Sequence, residues 1–136
     1  MYFLYRQGDA EEKMNCELTL RFPPSVNARY IHCRNSRRLI LSNETRSWLE
    51  YASWTIKSYA MNHNLQPIKV YTYFDLYWYP PSGRSDCHNS EKVLFDAFEQ
   101  GGLVSNDVYI KNRTQEVSKD ANNPRVIVKW IHKGEK

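Results

Sequence analysis

The segment from Lys69 to Tyr79 constrains the fold most, because its side chains alternate strictly between two kinds. An extended strand places successive side chains on opposite faces of a sheet. The bulky, mostly apolar set is Val70, Thr72, Phe74, Leu76 and Trp78, and the tyrosine-rich set is Tyr71, Tyr73, Asp75, Tyr77 and Tyr79. The pattern therefore predicts a strand with one face in the core. Its aromatic face would be covered by a helix or, as we prefer, by a second subunit.

Other patterns predict the elements around this strand. Alternation from Cys16 to Phe22 indicates another strand, and two short segments after it could form a hairpin. Apolar residues at helical spacing predict a first helix that is capped by Ser42 or Asn43 and ends near residues 62–64. A second helix is predicted over residues 86–100. Further strands are predicted at residues 108–111 and 125–131. The sequence thus predicts an α/β (α+β) fold, with a mixed β-sheet flanked by two main helices, in a single domain at 16–136 after an N-terminal extension at 1–15.

Several classes of protein are excluded by what the sequence lacks. No apolar run is long enough to span a membrane and no signal peptide is present, so we expect a cytoplasmic protein without membrane contact. Three cysteines without a C-x-x-C spacing argue against a disulfide framework and against a zinc ribbon. The absence of a phosphate-binding loop motif predicts no nucleotide cofactor.

One stretch of the sequence is basic without any acidic residue. No acidic residue occurs from Leu18 to Asn43, and this stretch contains Arg21, Arg29, Arg34, Arg37 and Arg38. Arginine guanidinium groups match the geometry of phosphates, so the stretch indicates a phosphate-contacting surface. A solubilising hairpin would explain the charge equally well.

The second predicted helix begins with side chains suited to metal and phosphate chemistry. Asp86, Asn89, Lys92 and Asp96 share one polar sector at helical spacing. A third acid, Asp107, follows the Gly-Gly that ends the helix. Clustered carboxylates with phosphate oxygens are the ligands that Mg²⁺ prefers. The alternative is an N-cap aspartate followed by a solvated helix face.

Two sequence motifs, one near Pro23 and one beginning at Asp86, resemble those of RusA-type Holliday junction resolvases. These resolvases are crossover junction endodeoxyribonucleases. The family has a Pro-Pro-Ser-x-Asn-x-x-Tyr opening, matched by Pro23 to Tyr30. Its Asp-x-Asp-Asn-x-x-Lys, Asp-Ala-Leu, Gly and Asp-Asp pattern is matched in part from Asp86 to Asp107. The resemblance covers roughly residues 16–131. It implies phosphodiester hydrolysis at four-way DNA junctions in recombination and repair, by a homodimer in a bacterial host cell, as in a phage or prophage enzyme.

The resemblance also implies roles for single residues. Asp86 and Asp107 would bind the metal, Lys92 would contact the scissile phosphate, and Asn89 would support the turn or the metal shell. Asp96 would bind metal or pair structurally. The implied DNA-binding residues are Arg29, Arg34, Arg37, Arg38 and Arg84. The implied cofactor is Mg²⁺, with Mn²⁺ as an alternative.

Two positions depart from the family pattern. His88 stands where an acid is usual, and Asn106 replaces the first of the paired acids. Imidazole binds Mn²⁺ better than Mg²⁺, so His88 could be a metal ligand or a general base. Two other functions remain open: a DNA-binding module without nuclease activity that acts through a partner, and a less selective nuclease for branched DNA in phage DNA processing.

Overall fold

The structure, a computed structural model, describes residues 13–25, 30–32, 39–83 and 87–133. Two helices and six strands follow one another along this part of the chain. They are β1 (Lys13–Arg21), β2 (Tyr30–His32), β3 (Leu39–Leu41), α1 (Asn43–Asn62), β4 (Thr72–Tyr79), α2 (Glu91–Gln100), β5 (Ile110–Val117) and β6 (Arg125–Lys133). The predicted α+β fold with a mixed sheet and two main helices is confirmed.

The main sheet has four strands in the order β1-β6-β4-β5. β6 pairs antiparallel with both β1 and β4, whereas β4 and β5 are parallel. The chain passes from β4 to β5 through α2, because a parallel pair needs a crossover connection. β2 and β3 form the separate predicted hairpin. Among the described residues, no helix is both long and apolar enough to cross a lipid bilayer.

One face of the sheet and both helices enclose the core. Phe74, Leu76 and Trp78 of β4 are fully buried, as the alternation predicted. The same sequence pattern placed Val70 in the core, but half of its surface is exposed because the strand begins only at Thr72. From the helices, Ile56 and Phe98 pack into this core. Phe74 stacks on the ring of Trp130 from β6, with centroids 5.3 Å apart.

Helix α1 also covers the outer edge of β1. The backbone N–H groups of Glu17 and Arg21 point away from the sheet, and they donate to the hydroxyls of Tyr59 (3.2 Å) and Tyr51 (3.0 Å). Edge strands with unpaired N–H groups attract other strands, so these hydroxyls protect the edge. Ser42 caps the helix as predicted, accepting a hydrogen bond from the Thr45 N–H.

The second face of the sheet carries Tyr73, Tyr77 and Tyr79 of β4, with Tyr71 directly before the strand. Neither described helix lies over it, and each ring is covered instead by a cation from a neighbouring strand. Lys111 lies over Tyr71, Arg113 over Tyr73, Lys129 over Tyr77 and Arg125 over Tyr79. Cations above an aromatic face are attracted by its quadrupole. This explains how an aromatic sheet face remains open to solvent.

Candidate active site

The start of α2 differs from the predicted helix over residues 86–100. Cys87–Ser90 forms a 3₁₀ turn, and the α-helix begins only at Glu91. Ser90, the N-cap residue, is buried and donates its hydroxyl hydrogen to the Pro23 carbonyl (3.2 Å). A 3₁₀ turn has three residues per turn, so His88 and Asn89 lie at other angles to Lys92 than an α-helix would give.

Lys92 lies between two carboxylates from different parts of the chain. Its Nζ is 3.2 Å from Asp96 Oδ1, one helical turn further along α2, and 3.2 Å from Asp107 Oδ2. Hydrogen bonds to Asp107 and then to Asp96 raise the pKa of Lys92 above its ordinary value. The lysine is therefore a fixed positive charge. Three of the predicted site residues are thus brought together.

Asp107 is positioned by its backbone as well as by Lys92. Its N–H donates to Glu99 Oε1 at 3.0 Å. Lys92, Asp96 and Glu99 occupy positions i, i+4 and i+7 of α2, so they share the helix face that meets Asp107. The Lys92–Asp96–Glu99–Asp107 group is called the acidic cluster below. It contains three acidic side chains and one basic one.

Asn106 explains one departure from the family pattern. Its Oδ1 accepts a hydrogen bond from the Val108 N–H at 2.9 Å and so caps the 3₁₀ turn Asp107–Tyr109. Asparagine and aspartate are about equally good caps. The asparagine therefore keeps the local structure that presents Asp107. The sequence pattern placed Asp107 at the head of a strand, but β5 begins three residues later, at Ile110.

His88 lies on the 3₁₀ turn with its side chain largely exposed. Its Nδ1 is 3.3 Å from Glu91 Oε1. Asn89, on the same turn, is partly buried. The exposure of His88 leaves the imidazole accessible to a bound substrate, and its proposed catalytic and metal-binding roles stay predictions.

Several predicted residues lie outside the described part of the chain. They are Asp86, Arg84, Arg29, Arg34, Arg37 and Arg38. Among the residues that the structure does describe, no group of three or more His, Cys, Asp or Glu side chains is placed to hold a metal ion. Mg²⁺ is commonly held by only one or two carboxylates together with substrate phosphates. Asp107, 30% exposed and with hard oxygen donors, fits such a site.

Glu99 and the capping role of Asn106 were missed in the sequence. Glu99 could have been found, because it continues the i, i+4, i+7 spacing that begins at Lys92. The capping role depends on the backbone conformation before β5, which alternation of polar and apolar residues does not reveal.

Comparison with known proteins finds a similarity over most of the chain. Residues 21–130 match the family model described as endodeoxyribonuclease RusA. The matched stretch begins at the last residue of β1, ends within β6, and contains the whole acidic cluster. No curated protein matches the chain.

Proposed function

The chain belongs to the RusA family of endodeoxyribonucleases, and we propose that it resolves four-way DNA junctions by paired, symmetric nicks. The reaction is hydrolysis of phosphodiester bonds. The observation that carries this proposal is the position of Lys92, whose Nζ lies 3.2 Å from both Asp96 and Asp107. A lysine held beside a metal-binding carboxylate is suited to a phosphate, since the cation offsets the charge that develops on its oxygens.

Each residue of the acidic cluster has a distinct part in this proposal. Asp96 is 13% exposed, so its carboxylate has little access to substrate. Its part is to hold the ammonium group of Lys92 in position. Asp107 is more exposed and faces the DNA. Glu99 acts through Asp107, whose backbone it fixes. Lys92 contacts the scissile phosphate. Its ion pairs with Asp96 and Asp107 restrict the position of its ammonium group.

A divalent ion completes the proposed site. Asp86 and Asp107, with His88 as a further ligand, would hold Mg²⁺ or alternatively Mn²⁺, which supplies when bound a water of lowered pKa for in-line attack. The 3₁₀ turn that carries His88 leads directly into the first turn of α2, where Lys92 lies. His88 is also accessible enough to accept a proton from water instead.

The proposed substrate has more than one duplex arm. A homodimer would place two active sites on opposed DNA strands of the junction. Arg29, Arg34, Arg37, Arg38 and Arg84 would contact its phosphates. These contacts position the DNA without reading its sequence.

Replacing Asp107 tests the proposed chemistry. We expect Asp107→Asn, and likewise Asp86→Asn, to bind a labelled four-way junction normally and to cleave it far more slowly. The loss should exceed the roughly 10- to 100-fold that removal of an outer-shell partner costs. Cleavage is measured on denaturing gels with Mg²⁺ and then with Mn²⁺, and binding by fluorescence anisotropy.

Glu50→Gln is the matched control, because Glu50 is an exposed carboxylate on α1 and is not part of the acidic cluster. It should cleave like the unmodified chain. Cleavage by Asp107→Asn at the normal rate would contradict the assigned site. Binding without cleavage by the unmodified chain in both metals would indicate a DNA-binding module, and equal cleavage of junction, flap and linear duplex would indicate a less selective nuclease.

A further inference from the structure

The second face of the sheet carries a basic surface that the proposed catalytic role does not use. We propose that this surface is a second DNA-binding site, which takes a duplex arm of the same branched DNA through its phosphates. The proposal rests on the proposed function, because it presupposes a branched DNA substrate. We call the surface the tyrosine face, and it comprises Tyr71, Tyr73, Tyr77, Tyr79, Lys13, Lys111, Arg113, Arg125, Lys129 and Lys133.

Within the described part of the chain, three of the six cations on the tyrosine face pair with a carboxylate and three do not. Arg113 pairs with Asp75, Arg125 with Asp120 and Lys129 with Glu17. In contrast, no carboxylate of the described residues lies within ion-pair distance of Lys13, Lys111 or Lys133. These lysines therefore give the face an excess of positive charge that is available to a polyanion.

Two of these lysines stand directly opposite each other. Lys13 of β1 is the register partner of Lys133 of β6. Like charges at directly opposed positions of an antiparallel pair destabilise the sheet. Phosphate between them would relieve this repulsion, so the free protein carries an electrostatic cost that bound DNA would remove. Both lysines line a groove of about 610 Å³ with Lys129, Arg113, Tyr71 and Tyr73, and with the carboxylates Glu17 and Asp75 that pair with Lys129 and Arg113.

The tyrosines keep the cations in place. The guanidinium carbon of Arg113 is 4.1 Å from the centroid of Tyr73, and Lys111 Nζ is 4.5 Å from that of Tyr71. A cation that already rests on a ring loses less conformational freedom when it binds a phosphate. Each cation occupies one face of its ring, so that face is closed to a stacking base. The recognition we infer is therefore of the phosphate backbone rather than of unstacked bases.

The groove lies beside the turn that carries Asp107. Tyr71, which lines the groove, packs edge-on against Tyr109, with centroids 5.7 Å apart. Tyr109 is two residues from Asp107 in the same 3₁₀ turn. The proposal is that one branched DNA molecule contacts the active site with one arm and the tyrosine face with another.

A second copy of the chain fits this face poorly. A two-fold symmetric contact would bring the Lys13–Lys133 pairs of both copies onto the same interface, where like charges repel. The structure thus favours DNA over the second subunit that the tyrosine pattern alone suggested.

The test removes the two opposed lysines and measures how DNA binding depends on salt. The Lys13→Gln, Lys133→Gln double variant is compared with the unmodified chain by fluorescence anisotropy on a labelled four-way junction, without divalent ions, from about 50 to about 200 mM NaCl. We expect the slope of log K against log salt to fall by about 0.9 for each phosphate that the variant no longer neutralises. Lys57→Gln, Lys119→Gln is the control of equal charge, since both lysines are exposed and lie away from the groove.

Each outcome decides the proposal. A reduced slope on junction and on linear duplex, with the control unchanged, supports it. An unchanged slope in the double variant, in a chain that still cleaves junctions, overturns the tyrosine face and leaves the proposed function standing. A weakening confined to single-stranded DNA also overturns it. Failure of the unmodified chain to bind any DNA overturns both. Circular dichroism checks that each variant is folded.

Discussion

Lys92 shows how one side chain can join a helix to a distant turn. Its ammonium group bonds to Asp96 on its own helix and to Asp107, fifteen residues further along the chain. The backbone of Asp107 is in turn held by Glu99. The turn after α2 is thus attached to the helix at two points, which fixes the direction of the Asp107 carboxylate before any substrate binds.

His132 is a second polar residue whose protonation state follows from its contacts. The Trp130 indole N–H, which can only donate, lies 3.1 Å from His132 Nδ1, so this nitrogen accepts. His132 Nε2 carries the hydrogen and donates to the Gln66 carbonyl at 2.8 Å. Burial disfavours the imidazolium and lowers the pKa of His132 below its usual 6.5. The folded protein therefore holds a neutral histidine.

This predicts that the protein loses stability in mild acid. As the pH falls through about 6.5, the unfolded chain takes up a proton that the folded chain does not, so the free energy of unfolding decreases. The contribution of His132 has a slope of at most about 1.4 kcal/mol per pH unit. Urea unfolding between about pH 7.5 and about pH 5.5 should show a smaller decrease for His132→Gln than for the unmodified chain. His63→Gln, at an exposed histidine, should retain the full decrease, and equal slopes in all three proteins would contradict the assignment.

At the scale of elements, the two helices meet closely at the end of α2. A Cβ added to Gly101 would lie 2.9 Å from the Ser53 carbonyl oxygen and 2.9 Å from Ile56 Cγ2, both on α1. Backbone oxygen atoms move less readily than the ends of side chains, so the helices would have to separate. The glycine is therefore required by the packing of α1 against α2, and its own φ of −77° is accessible to any residue.

We expect Gly101→Ala to lower the free energy of unfolding by about 1–3 kcal/mol, as overpacking in a core commonly does. Gly83→Ala is the control, because a Cβ there meets nothing within 4 Å. It should change the stability little. Urea denaturation of both variants measures the difference, and a Gly101→Ala protein as stable as Gly83→Ala would show that the helix contact yields without cost.

The sequence predicted those elements that have one buried face. β4 was predicted because Phe74, Leu76 and Trp78 alternate with tyrosines, and α1 because of its cap at Ser42. β5 was predicted over only part of its length, since every residue after Ile110 is exposed and no burial imposes a period of two. Helical spacing predicted that Lys92 and Asp96 share a polar face, and Asp107 was singled out as a third acid after the Gly-Gly. The hydrogen bond from the Asp107 N–H to Glu99 depends on the tertiary contact between the turn and α2, which no local pattern encodes.

At the scale of the molecule, paired nicks require two active sites, and the described chain carries one acidic cluster. We expect a homodimer, since a two-fold symmetric protein matches the symmetry of a four-way junction. Sedimentation equilibrium should give twice the chain mass of 16.2 kDa. A monomer at all concentrations that still makes paired nicks would contradict this expectation.

The unequal edges of the main sheet limit how copies of the chain can associate. Tyrosine hydroxyls bond to two outward N–H groups of β1, those of Glu17 and Arg21, whereas β5 is an edge strand with no further neighbour among the described strands. In the terms of polymer chemistry, such a sheet resembles a monomer with a single reactive end, which is the open edge of β5. If two copies pair edge to edge through β5, each copy uses its open edge, and the assembly stops at a pair. A fibril needs an open strand edge on both sides of each copy, and the hydroxyls of Tyr51 and Tyr59 oppose such growth at the β1 edge.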